Sequence, residues 1–169
     1  MFRLDETTVR KLLEEAGKML QRSWCPYSGF AVGAALLAGN GDIYTGCNIE
    51  NAAFSPSICA ERTAFAKAVS EGVTDFKAIA IVGGKNREPV DICPPCGACR
   101  QTMMEFCDPD SFRIILADRT GRPRVFTLNE MLPMGFGPGN LLEKRIAKAA
   151  SAVKDIRERV RSKADDSIF

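Results

Sequence analysis

The residues able to do chemistry are three cysteines and one glutamate. Cys59-Ala60-Glu61-Arg62 sets a thiol and a carboxylate two positions apart, at what reads as the start of a helix. Pro95-Cys96-Gly97-Ala98-Cys99-Arg100-Gln101 follows, with Cys96 37 residues after Cys59. Cys96 and Cys99 stand at i and i+3, a spacing at which one helix face reaches one ion. Three thiolates suit a zinc ion with its fourth position open to water. Zinc lowers the pKa of such a water to about 7. Glu61 is then placed to take its proton and hand it on. That combination suits hydrolytic attack on an amidine-like carbon.

The spacing also sets conditions. In a helix interior, residues i and i+2 point apart. Cys59 and Glu61 share a site only if Cys59 lies at the very first turn, and Ser57 as N-cap would put it there. Helix N-termini favour thiolates at Cys59 and Cys96. Three thiolates and one dication leave a net negative charge, which Arg62 or Arg100 would offset. Two other readings of the cysteines stay open. One is a closed structural zinc site with Cys93 as fourth ligand. The other is an iron–sulfur run through Cys93, Cys96 and Cys99, although Cys107 comes too late to complete it.

Composition narrows the chemistry further. The chain has 169 residues and no histidine. That excludes imidazole ligands and His-based nucleophile systems, so acid/base work falls to a carboxylate, thiol or lysine. The seven cysteines are an odd count and suit metal binding or burial better than a disulfide framework. The net charge of +2 is too small to argue for nucleic acid. No run approaches a membrane span, and Met1–Glu6 lacks a signal-peptide layout, so a cytoplasmic protein is expected.

Stepping outward from the motifs, residues 5–21 read as an amphipathic helix. Strands are expected at 30–37, 43–47, 77–82, 112–117 and 124–127, with Gly39-Asn40-Gly41-Asp42 turning the first hairpin. Helices are expected from about Cys59 to Glu71, from Cys96 to about Phe106, and as one turn at 128–132. Residues 135–139 read as a rigid glycine-rich loop. Alternating strands and helices argue a layered α/β domain over 1–142. Residues 143–169 carry eight Lys/Arg against five Asp/Glu and form a basic C-terminal helical extension. Apolar residues from Leu142 into this extension, as far as Val160, repeat in a narrow 4-3-4-3-4 seam.

These residues resemble a known family. Both cysteine motifs look like the signatures of the small homotetrameric cytidine deaminases, in the cytidine/deoxycytidylate deaminase superfamily. Tyr27–Ala35, Gly46–Ala52, Leu132-Pro133 and Phe136-Gly137-Pro138 are similar to the family as well. The resemblance implies a three-layer α/β/α fold with a five-stranded mixed sheet. It implies zinc held by Cys59, Cys96 and Cys99, with Glu61 as proton shuttle. The implied substrate is a pyrimidine nucleoside, cytidine or deoxycytidine, within pyrimidine salvage. Phe30 would pack on the pyrimidine, Asn48 and Glu50 would hold ribose hydroxyls, and Ala60 would contact the substrate. Ala52, Phe54 and Phe136 would reach a neighbouring subunit's site. Arg62 would tune the charge of the zinc site. Two departures stand out: position 54 is often tyrosine in the family, and the 143–169 extension is additional to its pattern.

Three competing functions remain on the sequence alone. A blasticidin-type or other amidine deaminase shares the zinc motifs, but Asn48-x-Glu50 favours a ribose. A polynucleotide-editing deaminase needs a basic groove and stacking aromatics, which the near-neutral residues 1–142 lack. A structural zinc or iron–sulfur interaction module is the non-enzyme alternative.

Overall fold

The computed structural model describes residues 4–141. Asp5 caps helix α1 (Glu6–Met19) by accepting from the Thr8 backbone N–H at 2.7 Å. A short 3-10 turn, Leu20–Arg22, follows. Strands β1 (Phe30–Ala38) and β2 (Ile43–Cys47) form the expected hairpin, and helix α2 spans Ala60–Ser70. Then come β3 (Phe76–Lys85), α3 (Gly97–Phe106), β4 (Arg113–Ala117), β5 (Pro123–Thr127) and the single turn α4 (Leu128–Met131).

The five strands make one sheet in the order β2-β1-β3-β4-β5. Only β3 and β4 run parallel; the other neighbours are antiparallel. Alternation along the strands feeds two cores. Ala34, Leu36, Ile79, Ile81, Ile114 and Leu116 point to the face covered by α2 and α3. Ala35, Leu37, Ala78, Ala80 and Ile115 point to the face covered by Val9, Leu12 and Ala16 of α1. The result is the three-layer α/β/α arrangement with a five-stranded mixed sheet.

Two features seat α2 against its neighbours. Phe65 of α2 meets Phe76 of β3 edge-on at 4.9 Å and stacks on Phe106 of α3 at 5.9 Å. Such pairs stabilise by about 0.5–1.5 kcal/mol each beyond their burial. Gly46 of β2 leaves room for the first turn of α2, since a Cβ there would meet the Ala60 carbonyl and the Ala64 nitrogen.

Several boundaries differ from expectation. β3 runs on through Gly83 and Gly84 to Lys85, because β1 pairs with it as far as Phe30↔Lys85. Ladder hydrogen bonds there outweigh the local tendency of two glycines to end a strand. Residues from Phe136 onward belong to a second compact unit, described by itself. Its backbone is helical at 138–141 rather than a loop through 139, and Pro138 takes the first helical position, where its missing N–H costs nothing. The seam and basic extension at 142–169 lie outside the described residues.

Candidate metal and nucleoside site

Cys59 and Cys96 are each the N-cap of a helix, with extended backbones at φ −76°, ψ 155° and φ −67°, ψ 168°. Neither cap is filled by a side-chain oxygen, so both thiols sit where helix N-termini favour negative charge. Ser57 is therefore not the cap of α2. Its hydroxyl accepts instead from the Asn51 backbone N–H at 3.0 Å, closing the loop before the helix. Because Cys59 lies outside the helical spiral, it and Glu61 escape the i, i+2 divergence.

The three sulfurs converge. Cys59 Sγ lies 3.7 Å from Cys96 Sγ, and Cys96 Sγ lies 3.3 Å from Cys99 Sγ. All three fall within 4.8 Å of one another, and they are the cysteine group among the described residues placed to hold an ion. Tetrahedral zinc with bonds of about 2.3 Å sets its sulfurs roughly 3.8 Å apart, so the donor set fits. The cluster grades from buried Cys99 to exposed Cys96. Cys93 stands outside the group, and burial pushes its thiol up to about 11, leaving it protonated at neutral pH.

The electrostatics agree. Hydrogen bonds from Cys99 and Cys96, together with the Arg62 guanidinium, hold the Cys59 thiol at about 5 against the cost of burial. The hydrogen bond that Cys99 gives to Cys59, and then burial, in turn drive the Cys99 thiol upward, so the cluster needs a cation to ionise fully. Arg62 Nη2 donates to the Ser57 carbonyl at 2.9 Å, while its buried Nε has no hydrogen-bond partner. Its neighbouring anion is Cys59. Arg100 is held differently. It spends its guanidinium on the Pro95 carbonyl at 2.8 Å and the Met131 carbonyl at 2.6 Å, tying α4 to the start of α3.

Glu61 is 4% exposed. Burial raises its pKa, with the Cys59 charge acting in the same direction. A carboxyl of this kind binds a proton more readily than a surface glutamate does.

A second group forms at the end of β1. Asn48 Oδ1 accepts from the Val32 N–H at 2.7 Å and from the Ser23 hydroxyl at 2.5 Å, and Asn48 Nδ2 donates to the Phe30 carbonyl at 2.9 Å. One Nδ2 hydrogen remains for a ligand. Glu50 Oε2 accepts from the Tyr27 and Ser28 backbone N–H groups at 2.8 and 3.2 Å. Ser23, which sequence reasoning passed over, is 3% exposed. A serine beside exposed Trp24 gives no sign that its hydroxyl is buried against an amide 25 residues away. Ala60 is fully buried, backbone included, and its carbonyl faces Gly46 of β2. Ala52 and Phe54 lie on an exposed loop, with Phe54 at φ 55° and its ring 5.8 Å from Tyr27. Phe136 lies in the second unit.

Residues 6–113 match the family model described as the cytidine and deoxycytidylate deaminase zinc-binding region. The chain belongs to this family. A cytidine deaminase from Sporosarcina psychrophila is 49% identical over 133 residues, covering 79% of this chain and 94% of that one. A probable cytidine deaminase from Dictyostelium discoideum is 38% identical over 142 residues, covering 83% and 92%. Among solved structures, the cytidine deaminase from Burkholderia pseudomallei superposes with a TM-score of 0.68 at 39% identity, covering 75% of this chain and 98% of its own. The three-cysteine cluster of this deaminase-family chain is compatible with the zinc binding that gives the family region its description.

Proposed function

We propose that this chain is a hydrolytic deaminase that converts cytidine and deoxycytidine to uridine and deoxyuridine with release of ammonia, and that it serves pyrimidine salvage in the cytoplasm. The observation that carries this reading is the buried Glu61 carboxyl set beside three convergent thiols in a chain of the cytidine deaminase family. Cys59, Cys96 and Cys99 would hold zinc, which when bound supplies a Lewis acid and an acidified water. With zinc bound, Glu61 would pass one proton of that water to the pyrimidine ring nitrogen and then the second, from the hydroxyl left on the attacked carbon, to the departing amine. Its raised pKa suits both halves of the shuttle. Arg62 offsets the excess thiolate charge.

Phe30 packs on the pyrimidine, and Ala60 contacts the substrate. The spare Nδ2 hydrogen of Asn48 and the Glu50 carboxylate bind the ribose hydroxyls. Ala52, Phe54 and Phe136 reach the site of a neighbouring subunit in a homotetramer. Support comes from Phe54, Trp24 and Tyr27, which are 71%, 61% and 53% exposed, as suits apolar surface awaiting a partner. Residues 1–142 form the catalytic domain, and 143–169 a basic extension.

The test is a comparison of rates on cytidine, deoxycytidine and blasticidin S. Turnover of both nucleosides well above that of blasticidin S supports the reading. Turnover of blasticidin S alone refutes it.

A further inference from the structure

Cys93 is the motif cysteine that the zinc cluster leaves over, and its surroundings give it other work. Along β3, Ile79 and Ile81 point into the core beneath α2 and α3. By alternation the next residue on that face is Gly83, which pairs with Val32 of β1. A Cβ at Gly83 would stand 2.5 Å from Cys93 Sγ, 3.1 Å from Cys93 Cβ and 3.0 Å from Phe30 Cε1. The Cys93 thiol and the Phe30 ring thus share the space that a side chain at Gly83 would fill. Cys93 packs against the same core cluster as Ala60 and Cys99.

We infer that Gly83 and Cys93 are positioning residues that fix where the Phe30 ring lies, and so set how the pyrimidine is held. The inference rests on the proposed role of Phe30 as the residue that packs on the base. Gly83 supplies vacancy, and Cys93 supplies a compact, polarisable wall of the kind that suits an aromatic edge. Neither touches a reacting atom.

The experiment measures kcat and KM for cytidine in the full-length, zinc-loaded chain, with zinc content determined in each sample. The chains are wild type, Gly83→Ala, Cys93→Ala and the double variant. Gly83→Ala is expected to raise KM by about tenfold, with kcat changed less and zinc content unaltered, since crowding the ring weakens ground-state and transition-state binding alike. Removing Cys93 Sγ in that background relieves the shortest contact and lets the ring give way at the remaining two, so the double variant recovers part of the lost affinity. A wild-type KM in Gly83→Ala, or a double variant no better than the single one, overturns the inference. Should Gly83→Ala fail to fold, Cys93→Leu crowds the same space: raised KM supports the inference and unchanged KM overturns it. A wild-type chain that leaves cytidine intact instead overturns the proposed function, and this inference with it.

Discussion

Gly46→Ala probes the link between the sheet and the zinc cluster. Gly46 faces the first turn of α2, and the added Cβ would lie 2.5 Å from the Ala64 nitrogen and 3.0 Å from Thr63 Cβ, as well as against the Ala60 carbonyl. Two of these contacts are helix backbone, so no rotamer change relieves them. Restoring ordinary contact requires α2 to retreat by about 1 Å in a close-packed interior. Zinc–ligand distances tolerate only about 0.2 Å. Cys59, the N-cap of α2, cannot follow the helix and keep its bond length. Overpacking of this kind costs roughly 1–3 kcal/mol, or about 2–12 °C in Tm for a chain of this size. A 1 Å displacement of Glu61 costs on the order of 100-fold in kcat. Thermal unfolding, zinc release to a colorimetric chelator and steady-state turnover read the three effects. A variant with wild-type Tm, zinc retention and kcat would show that α2 does not depend on the vacancy at Gly46.

Glu61→Gln should keep zinc and fold but lose turnover by roughly 100- to 10,000-fold, the range of a general acid–base group; wild-type kcat would remove Glu61 from the mechanism. Cys93→Ser should bind one zinc per chain, and loss of zinc by elemental analysis would restore the four-cysteine site. Glu50 should shape the acid limb of stability. The Ser28 hydroxyl, then the Tyr27 and Ser28 N–H groups, hold its carboxyl below the ordinary 4.5. A depressed folded-state pKa stabilises above the unfolded value, and that stabilisation is lost as pH falls through the folded value. The Tm gap between wild type and Glu50→Gln should therefore narrow between about pH 6 and pH 3. A constant gap would mean that the carboxylate bonds to Tyr27 and Ser28 contribute nothing.

The chemistry of the site was legible because its signals are local. C-x₂-C spacing, a glutamate two residues from a third cysteine and the absence of histidine leave few alternatives. The five strands and the helices that carry the motifs were likewise readable from period and punctuation. What escaped depends on partners distant in sequence. Gly83 and Gly84 look like a strand end until β1 is seen pairing across them. Ser57 looks like a cap for α2 until Asn51 claims its hydroxyl. Arg62 and Arg100 look equivalent beside their cysteines, yet the Met131 carbonyl, 31 residues away, draws Arg100 off. Ser23 has no local signature at all, since its role is set by the amide of Asn48.

The central claim is that Cys59, Cys96, Cys99 and Glu61 form one zinc-dependent deamination site. The most direct test adds cytidine to the purified full-length chain, follows the ultraviolet absorbance change, and quantifies zinc in the same sample. Conversion to uridine at about one zinc per chain, abolished by chelation and restored by zinc, is the expected result. One zinc per chain with neither cytidine nor deoxycytidine converted would contradict the claim and reduce the cluster to a structural metal centre.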